Sequence, residues 1–193
     1  MSLANKITLL RIGMIPFFIF FLLYDSIYYN YIFAGLIFII ASITDHIDGR
    51  IARKRNEITD FGKFADPLAD KILVISAFMC FVELGSISSI PVIIIIAREF
   101  IVTGIRLMAV KYGKVIDASI WGKAKTVSQM ATIIMILFCL SIDNIMDICN
   151  NDFLDSFAPI LELVSEVFLW ISVVLTVISG IKYVKDNIEF IKN

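Results

Sequence analysis

Long apolar runs dominate the chain and are broken at nearly regular intervals by short polar stretches. A helix needs roughly 20 largely apolar residues to cross the hydrocarbon core of a bilayer. Six segments qualify: about 7–24, 31 to beyond 43, 64–84, 87–110, 126–142 behind a polar lead-in, and 157–183. The pattern predicts an all-α membrane protein with six transmembrane helices, in one integral membrane domain over residues 1–193. Arg11 and Pro16 interrupt the first segment and no small-residue cleavage site follows it, so no cleaved signal peptide is expected.

Composition agrees with this pattern. Of 193 residues, 59% are hydrophobic and 18% charged, with a mean hydropathy of +0.89. A soluble domain carries nearer a quarter of its residues as charges, and disorder requires low hydrophobicity. Three cysteines, each in or beside an apolar stretch, do not make a disulfide framework. The 17 basic and 18 acidic residues nearly cancel, which leaves no basic field for nucleic acid.

The distribution of charge says more than its sum. Short connections force an up-down bundle. The N-terminus, the 45–63 and 111–125 regions and the C-terminus then share one side. All 17 Lys and Arg residues fall on that side or in the adjoining half-helices. The other side carries Asp25, Glu83, Asp143, Asp147, Asp152, Asp155, Glu162 and Glu166, with no Lys or Arg. The positive-inside rule makes the basic side cytoplasmic, with both termini inside.

Residues 44–71 carry the candidate chemistry: TDHIDGRIARKRNEITDFGKFADPLADK. Asp45 and Asp48 stand at i, i+3 near the end of the second span. Asp66 and Asp70 stand at i, i+4 near the start of the third. Each pair shares a helix face. A short connection makes the two helices antiparallel neighbours, so the four carboxylates converge at the cytoplasmic membrane edge. Facing carboxylates in a region of reduced dielectric call for bound divalent metal. An all-oxygen donor set suits Mg²⁺ or Mn²⁺ rather than Zn²⁺, and two such ions can activate a phosphate substrate. The plain alternative is juxtamembrane charge, with Asp45 and Asp48 paired to Arg50 and Arg53. Gly49 and Gly62 remove side chains where a ligand approaches; helix packing by small residues is the alternative there.

In order, these residues read Asp45-x2-Asp48-Gly49-x2-Ala52-Arg53-x8-Gly62-x3-Asp66-x3-Asp70. That spacing resembles, without departure, the signature of the CDP-alcohol phosphatidyltransferase family. FGKFADPLADK at 61–71, AREFIVTGIRL at 97–107, WGKAKT at 121–126 and the N-terminal NKITLLRIGMIPFF look like its bacterial branch that uses glycerol 3-phosphate. The resemblance covers essentially the whole chain and is weakest around 143–157. It implies the fold of that family, a six-helix enzyme of the bacterial plasma membrane, usually a homodimer, that opens CDP-diacylglycerol. It implies that Asp45, Asp48, Asp66 and Asp70 bind two divalent cations and that Asp70 is also the proton acceptor. It places Asp48, Gly49 and Arg53 against the CDP group, with Thr59, Asn5 and Thr8 as further nucleotide contacts.

On that reading sn-glycerol 3-phosphate is the acceptor, and its phosphate needs a basic pocket. Candidates are Arg98 and Arg106 in the fourth span and Lys123 and Lys125 before the fifth. Arg98 and Arg106 lie eight residues apart, on nearly the same helix face. Cations in an apolar helix are costly without an anion. Glu99 is a structural alternative partner for Arg98, and interfacial anchoring is an alternative for the two lysines. For Lys63 and Lys71, simple helix-end charge is the alternative. Direct displacement is favoured over a covalent intermediate: His46 projects off the Asp45/Asp48 face, and Cys80, Cys139 and Cys149 lack a partnered base. Trp121, Tyr28, Tyr29 and Tyr183 read as interface anchors. Two alternatives stay open: a sister transferase whose acceptor is inositol phosphate, serine or phosphatidylglycerol, and, more distantly, a divalent-cation transporter.

Overall fold

The computed structural model describes residues 3–55, 60–111, 116, 119–149 and 158–189, with side chains over 8–44, 68–110, 116, 119–146 and 158–189. The described residues form helices and their connections, with no strand. The helices are α1 (Leu3–Leu23), α2 (Asn30–Arg55), α3 (Asp60–Glu83), α4 (Ser89–Lys111), α5 (Ile120–Cys149) and α6 (Ala158–Asp186).

Local chemistry sets several of these limits. The α3 helix ends where Gly85 takes φ +70, a conformation open to glycine without Cβ strain. The Gly85 N–H then bonds Val82 O at 3.0 Å and the Ser86 N–H bonds Phe81 O at 3.0 Å, satisfying the last carbonyls. At the start of α5, Ser119 Oγ accepts from the Gly122 N–H at 3.1 Å, as an N-cap does. That cap starts α5 six residues before the apolar run at Thr126. Lys123 and Lys125 are therefore helical, in the first two turns of α5, and not on a connection ahead of it.

The helices α1, α2 and α3 form one group, with α1 packed on both others; α5 and α6 pack closely, α4 lies on α6, and α2 joins the groups through α5. The α2 and α3 helices do touch, but α3 makes its broader contact with α1. The core between them holds Phe18, Phe38, Phe78, Phe81, Ile95, Ile133, Leu137 and Val173. Phe18 of α1 meets Phe38 of α2 with ring centroids 5.8 Å apart.

The outside is as apolar as the inside. Phe17 is 64% exposed, Phe100 69% and Val127 68%. An apolar exterior of this extent belongs in lipid rather than water. Helices α5 (Ile120–Met146) and α6 (Ala158–Asp186) are each long and apolar enough to cross a bilayer; the apolar parts of α1 (Thr8–Leu23) and α2 (Asn30–Thr44) are shorter. The α4 helix carries Arg98, Glu99 and Arg106 within its length, which lowers its apolarity.

Several helix hydroxyls are satisfied within their own helix, as a hydrocarbon setting favours. Ser42, Thr103 and Ser141 each donate to the carbonyl four residues back, at 2.8, 2.6 and 2.7 Å. Thr132 Oγ1 lies 3.1 Å from Phe168 O, and Gln129 Nε2 donates to Thr176 Oγ1 at 3.3 Å, so polar contacts join α5 to α6.

Candidate active site

The bundle has two chemically opposite ends. A cavity of about 440 Å³ at one end is bordered by the α3–α4 turn and lined by Asp143, Glu162 and Glu166, with no Lys or Arg. The other end holds a cavity of about 450 Å³ among α2, α3, α4 and α5. Lys71, Arg98, Arg106, Lys123 and Lys125 line it, together with Asp70 and Glu99. The segregation of charge along the chain thus becomes a segregation between the two ends of the bundle.

Four helices supply the lining. The α2 helix contributes Ser42, α3 contributes Asp70 and Lys71, α4 contributes Arg98, Glu99, Thr103 and Arg106, and α5 contributes Gly122, Lys123, Lys125 and Gln129. The spacing of Arg98, Val102 and Arg106 is one helical turn per step, which is why a single face of α4 presents all three to the cavity.

The cations fall into two groups. Arg98 and Lys125 are tied down. Arg98 Nη1 donates to Glu99 Oε1 at 3.0 Å, and Lys125 Nζ pairs with the same oxygen. Arg98 Nη2 donates to Ser179 Oγ of α6 at 2.6 Å. A Cβ at Gly180 would lie 3.0 Å from Arg98 Cγ, so the absence of a side chain there admits the arginine stem. Arg106 and Lys123 are exposed. Arg106 Nε donates to Tyr183 OH at 3.2 Å, with the guanidinium carbon 5.7 Å from the ring centroid. Lys71 Nζ donates to Thr103 Oγ1, which in turn donates to Glu99 O at 2.6 Å.

Several readings change here. Lys71 is a cavity cation half-shielded by α4, not a simple helix-end charge. Tyr183 is buried against Val102 and Ile105 and braces Arg106; it is not an interface anchor. Trp121, Tyr28 and Tyr29 are exposed, and Lys182 Nζ sits 5.8 Å from the Trp121 ring centroid. Glu99 pairs with Arg98, the alternative weighed for that residue, but also with Lys125. Ser179 and Tyr183 carry no sequence signal as site residues, because their partners Arg98 and Arg106 lie 81 and 77 residues away. Cys80 and Cys139 are buried free thiols.

Thr8 is buried within the bundle. Asp45, Asp48, Gly49 and Arg53 stand on the helical backbone of α2, Asp66 on that of α3 and Asn5 on that of α1, but their side chains lie outside the described residues. Thr59 lies outside them altogether. Asp45 is one turn along α2 from Ser42, and Asp66 one turn ahead of Asp70 on α3; Ser42 and Asp70 line the cavity. No cluster of three or more His, Cys, Asp or Glu side chains able to hold a metal occurs among the described residues. The donor chemistry of the four aspartates is nonetheless hard and all-oxygen, which fits Mg²⁺ or Mn²⁺.

The fold and this site define a helical membrane protein with a polar, largely cationic cavity at one end and two carboxylates, Asp70 and Glu99, in its lining. The chain belongs to the CDP-alcohol phosphatidyltransferase family, whose model matches residues 1–178. It is 40% identical to the CDP-diacylglycerol–glycerol-3-phosphate 3-phosphatidyltransferase of Bacillus subtilis (strain 168), over 99% of this chain and 97% of that one. It is 36% identical to the protein of the same name from Rickettsia bellii, over 95% of this chain and 94% of that one. It is also 36% identical to a probable phosphatidylglycerophosphate synthase of Mycobacterium tuberculosis, over 95% and 80%.

Proposed function

We propose that this protein transfers the phosphatidyl group of CDP-diacylglycerol to sn-glycerol 3-phosphate, giving phosphatidylglycerophosphate and CMP. The single observation that carries the reading is the cavity that gathers Asp70 with Arg98, Arg106, Lys123 and Lys125, in a chain whose relatives bear that activity in their names. Free serine as acceptor would offer this set of cations one carboxylate and no phosphate, a poorer match in charge.

The acceptor phosphate is held by the cations of the cavity, Arg106 and Lys123 being the exposed ones. Its C1 hydroxyl is then directed toward the end of the cavity where Asp70 lies. The hydroxyl oxygen forms a bond to the diacylglycerol-bearing phosphorus. The bond from that phosphorus to the bridging oxygen breaks, and CMP leaves with that oxygen. Asp70 takes the hydroxyl proton. Asp48, Gly49 and Arg53, with Asn5, Thr8 and Thr59 as further contacts, hold the CDP moiety; a guanidinium such as that of Arg53 offers paired donors to a phosphate. Asp45, Asp48, Asp66 and Asp70 would hold two divalent cations, Mg²⁺ or Mn²⁺, which when bound neutralise the diphosphate charge.

The protein works as a multi-pass enzyme of the bacterial plasma membrane, one catalytic domain over its length and a homodimer. The cationic cavity and both termini face the cytoplasm, by the positive-inside rule. The deciding experiment is CMP release by purified protein from CDP-diacylglycerol with Mg²⁺, across glycerol 3-phosphate, inositol phosphate, serine and phosphatidylglycerol. Turnover with glycerol 3-phosphate above the rest is expected. No CMP release, or a preference for another acceptor, defeats the reading.

A further inference from the structure

Besides Asp70, Glu99 is the only acid among the described residues that line the cationic cavity. Its carboxylate stands between two cations from different helices, taking Arg98 Nη1 at 3.0 Å and the Lys125 ammonium on the same oxygen. The group is poorly hydrated: the Arg98 and Glu99 side chains are 12% exposed and that of Lys125 is 5%. Two cations this close repel, and here little water screens them.

We propose that Glu99 is a positioning residue for the acceptor's phosphate. It holds Arg98 and Lys125 converged on one point of the cavity wall before the phosphate arrives. This rests on the reading of the cavity as the site of a phosphorylated acceptor. Three observations support it. Arg98 is fixed on its other side by Ser179 Oγ at 2.6 Å, so its guanidinium plane is set by two helices at once. Arg98 Nε is buried with no hydrogen-bond partner among the described residues, so the side chain is not placed where all its own donors are served. Finally, one anion against two cations leaves the triad net positive, so Glu99 organises the charge without cancelling it. Pre-set cations spare the phosphate the cost of gathering them.

The test is steady-state kinetics on the full-length protein in detergent or lipid nanodiscs, with glycerol 3-phosphate varied at saturating donor and the reverse. Glu99→Gln keeps the shape but removes the anion. The expected result is a rise in acceptor KM of about tenfold or more, with donor KM unchanged and kcat altered by less than about threefold. Glu99→Asp, which retains the charge, brings the acceptor KM back to within about threefold of wild type. An acceptor KM within about twofold of wild type in E99Q, with a lowered thermal midpoint, would make Glu99 a brace for the bundle and overturn the proposal. A fall in acceptor KM overturns it too, since Glu99 would then compete with the phosphate.

If E99Q alone does not fold, the comparison moves to Lys125→Met against the E99Q/K125M double variant, which removes one cation together with the anion. Acceptor KM values within about threefold of each other are expected; a further rise of about tenfold in the double variant overturns the proposal. Wild-type protein that releases no CMP with glycerol 3-phosphate defeats the substrate reading and this inference together. Wild-type turnover with an unmoved E99Q value defeats only the inference.

Discussion

Ser179 of α6 accepts a 2.6 Å hydrogen bond from the Arg98 guanidinium of α4, joining helices across 81 residues of sequence. Ser179 is 1% exposed, and the Arg98 side chain is 12% exposed. The bond therefore does two things: it satisfies a charged donor out of reach of bulk water, and it fixes which wall of the cavity that donor faces.

Removing the acceptor exposes both effects. Ser179→Ala leaves a guanidinium N–H unpaired in a nearly dry place, at a cost of about 1–3 kcal/mol. A lower thermal midpoint in detergent is expected, with a rise in KM for glycerol 3-phosphate. Ser179→Thr, which retains the hydroxyl, restores the midpoint. An alanine variant that melts like wild type would show the bond to be worth nothing.

The neighbouring glycine makes a separate prediction. A Cβ on residue 180 comes within 3.0 Å of Arg98 Cγ, and Arg98 is held at both Nη atoms. The stem cannot yield without disturbing one of those bonds. Gly180→Ala is expected to cost about 1–3 kcal/mol, in the range of overpacked sites. Gly104→Ala, with nothing within 4 Å of the added carbon, serves as the control and melts near wild type. The comparison is of thermal midpoints in the same detergent.

Why the sequence revealed some of this and not the rest follows from the solvent. Helix positions are legible because polar connections interrupt apolar runs, and lipid demands backbone hydrogen bonding within each run. Helix rotation is not legible. A helix between lipid and core is apolar on both faces, so periodicity does not say which side turns inward. Phe17 and Phe18 are adjacent and equally apolar, yet one is 64% exposed and the other fully buried. Arg98 and Arg106 stand out because charge is rare in such helices. The partners Ser179 and Tyr183 are ordinary residues in the last helix, and only packing brings them to α4. The polar lead-in to α5 owes its helical start to the Ser119 cap and not to apolarity, so the pattern of apolar runs does not reveal it.

Arg106 and Tyr183 can be separated experimentally. Arg106 is exposed to the cavity and donates to the Tyr183 hydroxyl at 3.2 Å. Arg106→Ala removes a charged donor worth about 1.5–3 kcal/mol to a phosphate, so KM for glycerol 3-phosphate should rise by roughly 10- to 150-fold. The donor KM should move little. Tyr183→Phe keeps the ring under the guanidinium and removes only the hydroxyl, so a rise of about fivefold or less is expected. Equal effects of Arg106→Ala on both substrates would dissociate it from the acceptor.

Metal dependence is testable without mutation. With four aspartates as an all-oxygen donor set, chelation by EDTA should abolish CMP release, and Mg²⁺ or Mn²⁺ should restore it. Turnover that persists after chelation and dialysis would remove metal from the mechanism.

Asp70 carries the sharpest prediction, because it is the one signature aspartate whose side chain is described at the cavity. Asparagine has nearly the same shape but cannot take the acceptor's proton. Loss of a positioned general base typically costs about 10²- to 10⁴-fold in rate, and a weakened metal site would deepen the loss. The two contributions part on raising Mg²⁺: a rate defect that persists at saturating metal belongs to the proton transfer. CDP binding, measured by calorimetry, should survive Asp70→Asn, since the proposed CDP contacts Gly49 and Arg53 are left in place. Near-normal turnover in this variant would place the base elsewhere, and lost CDP binding with normal folding would make Asp70 a nucleotide-site residue instead.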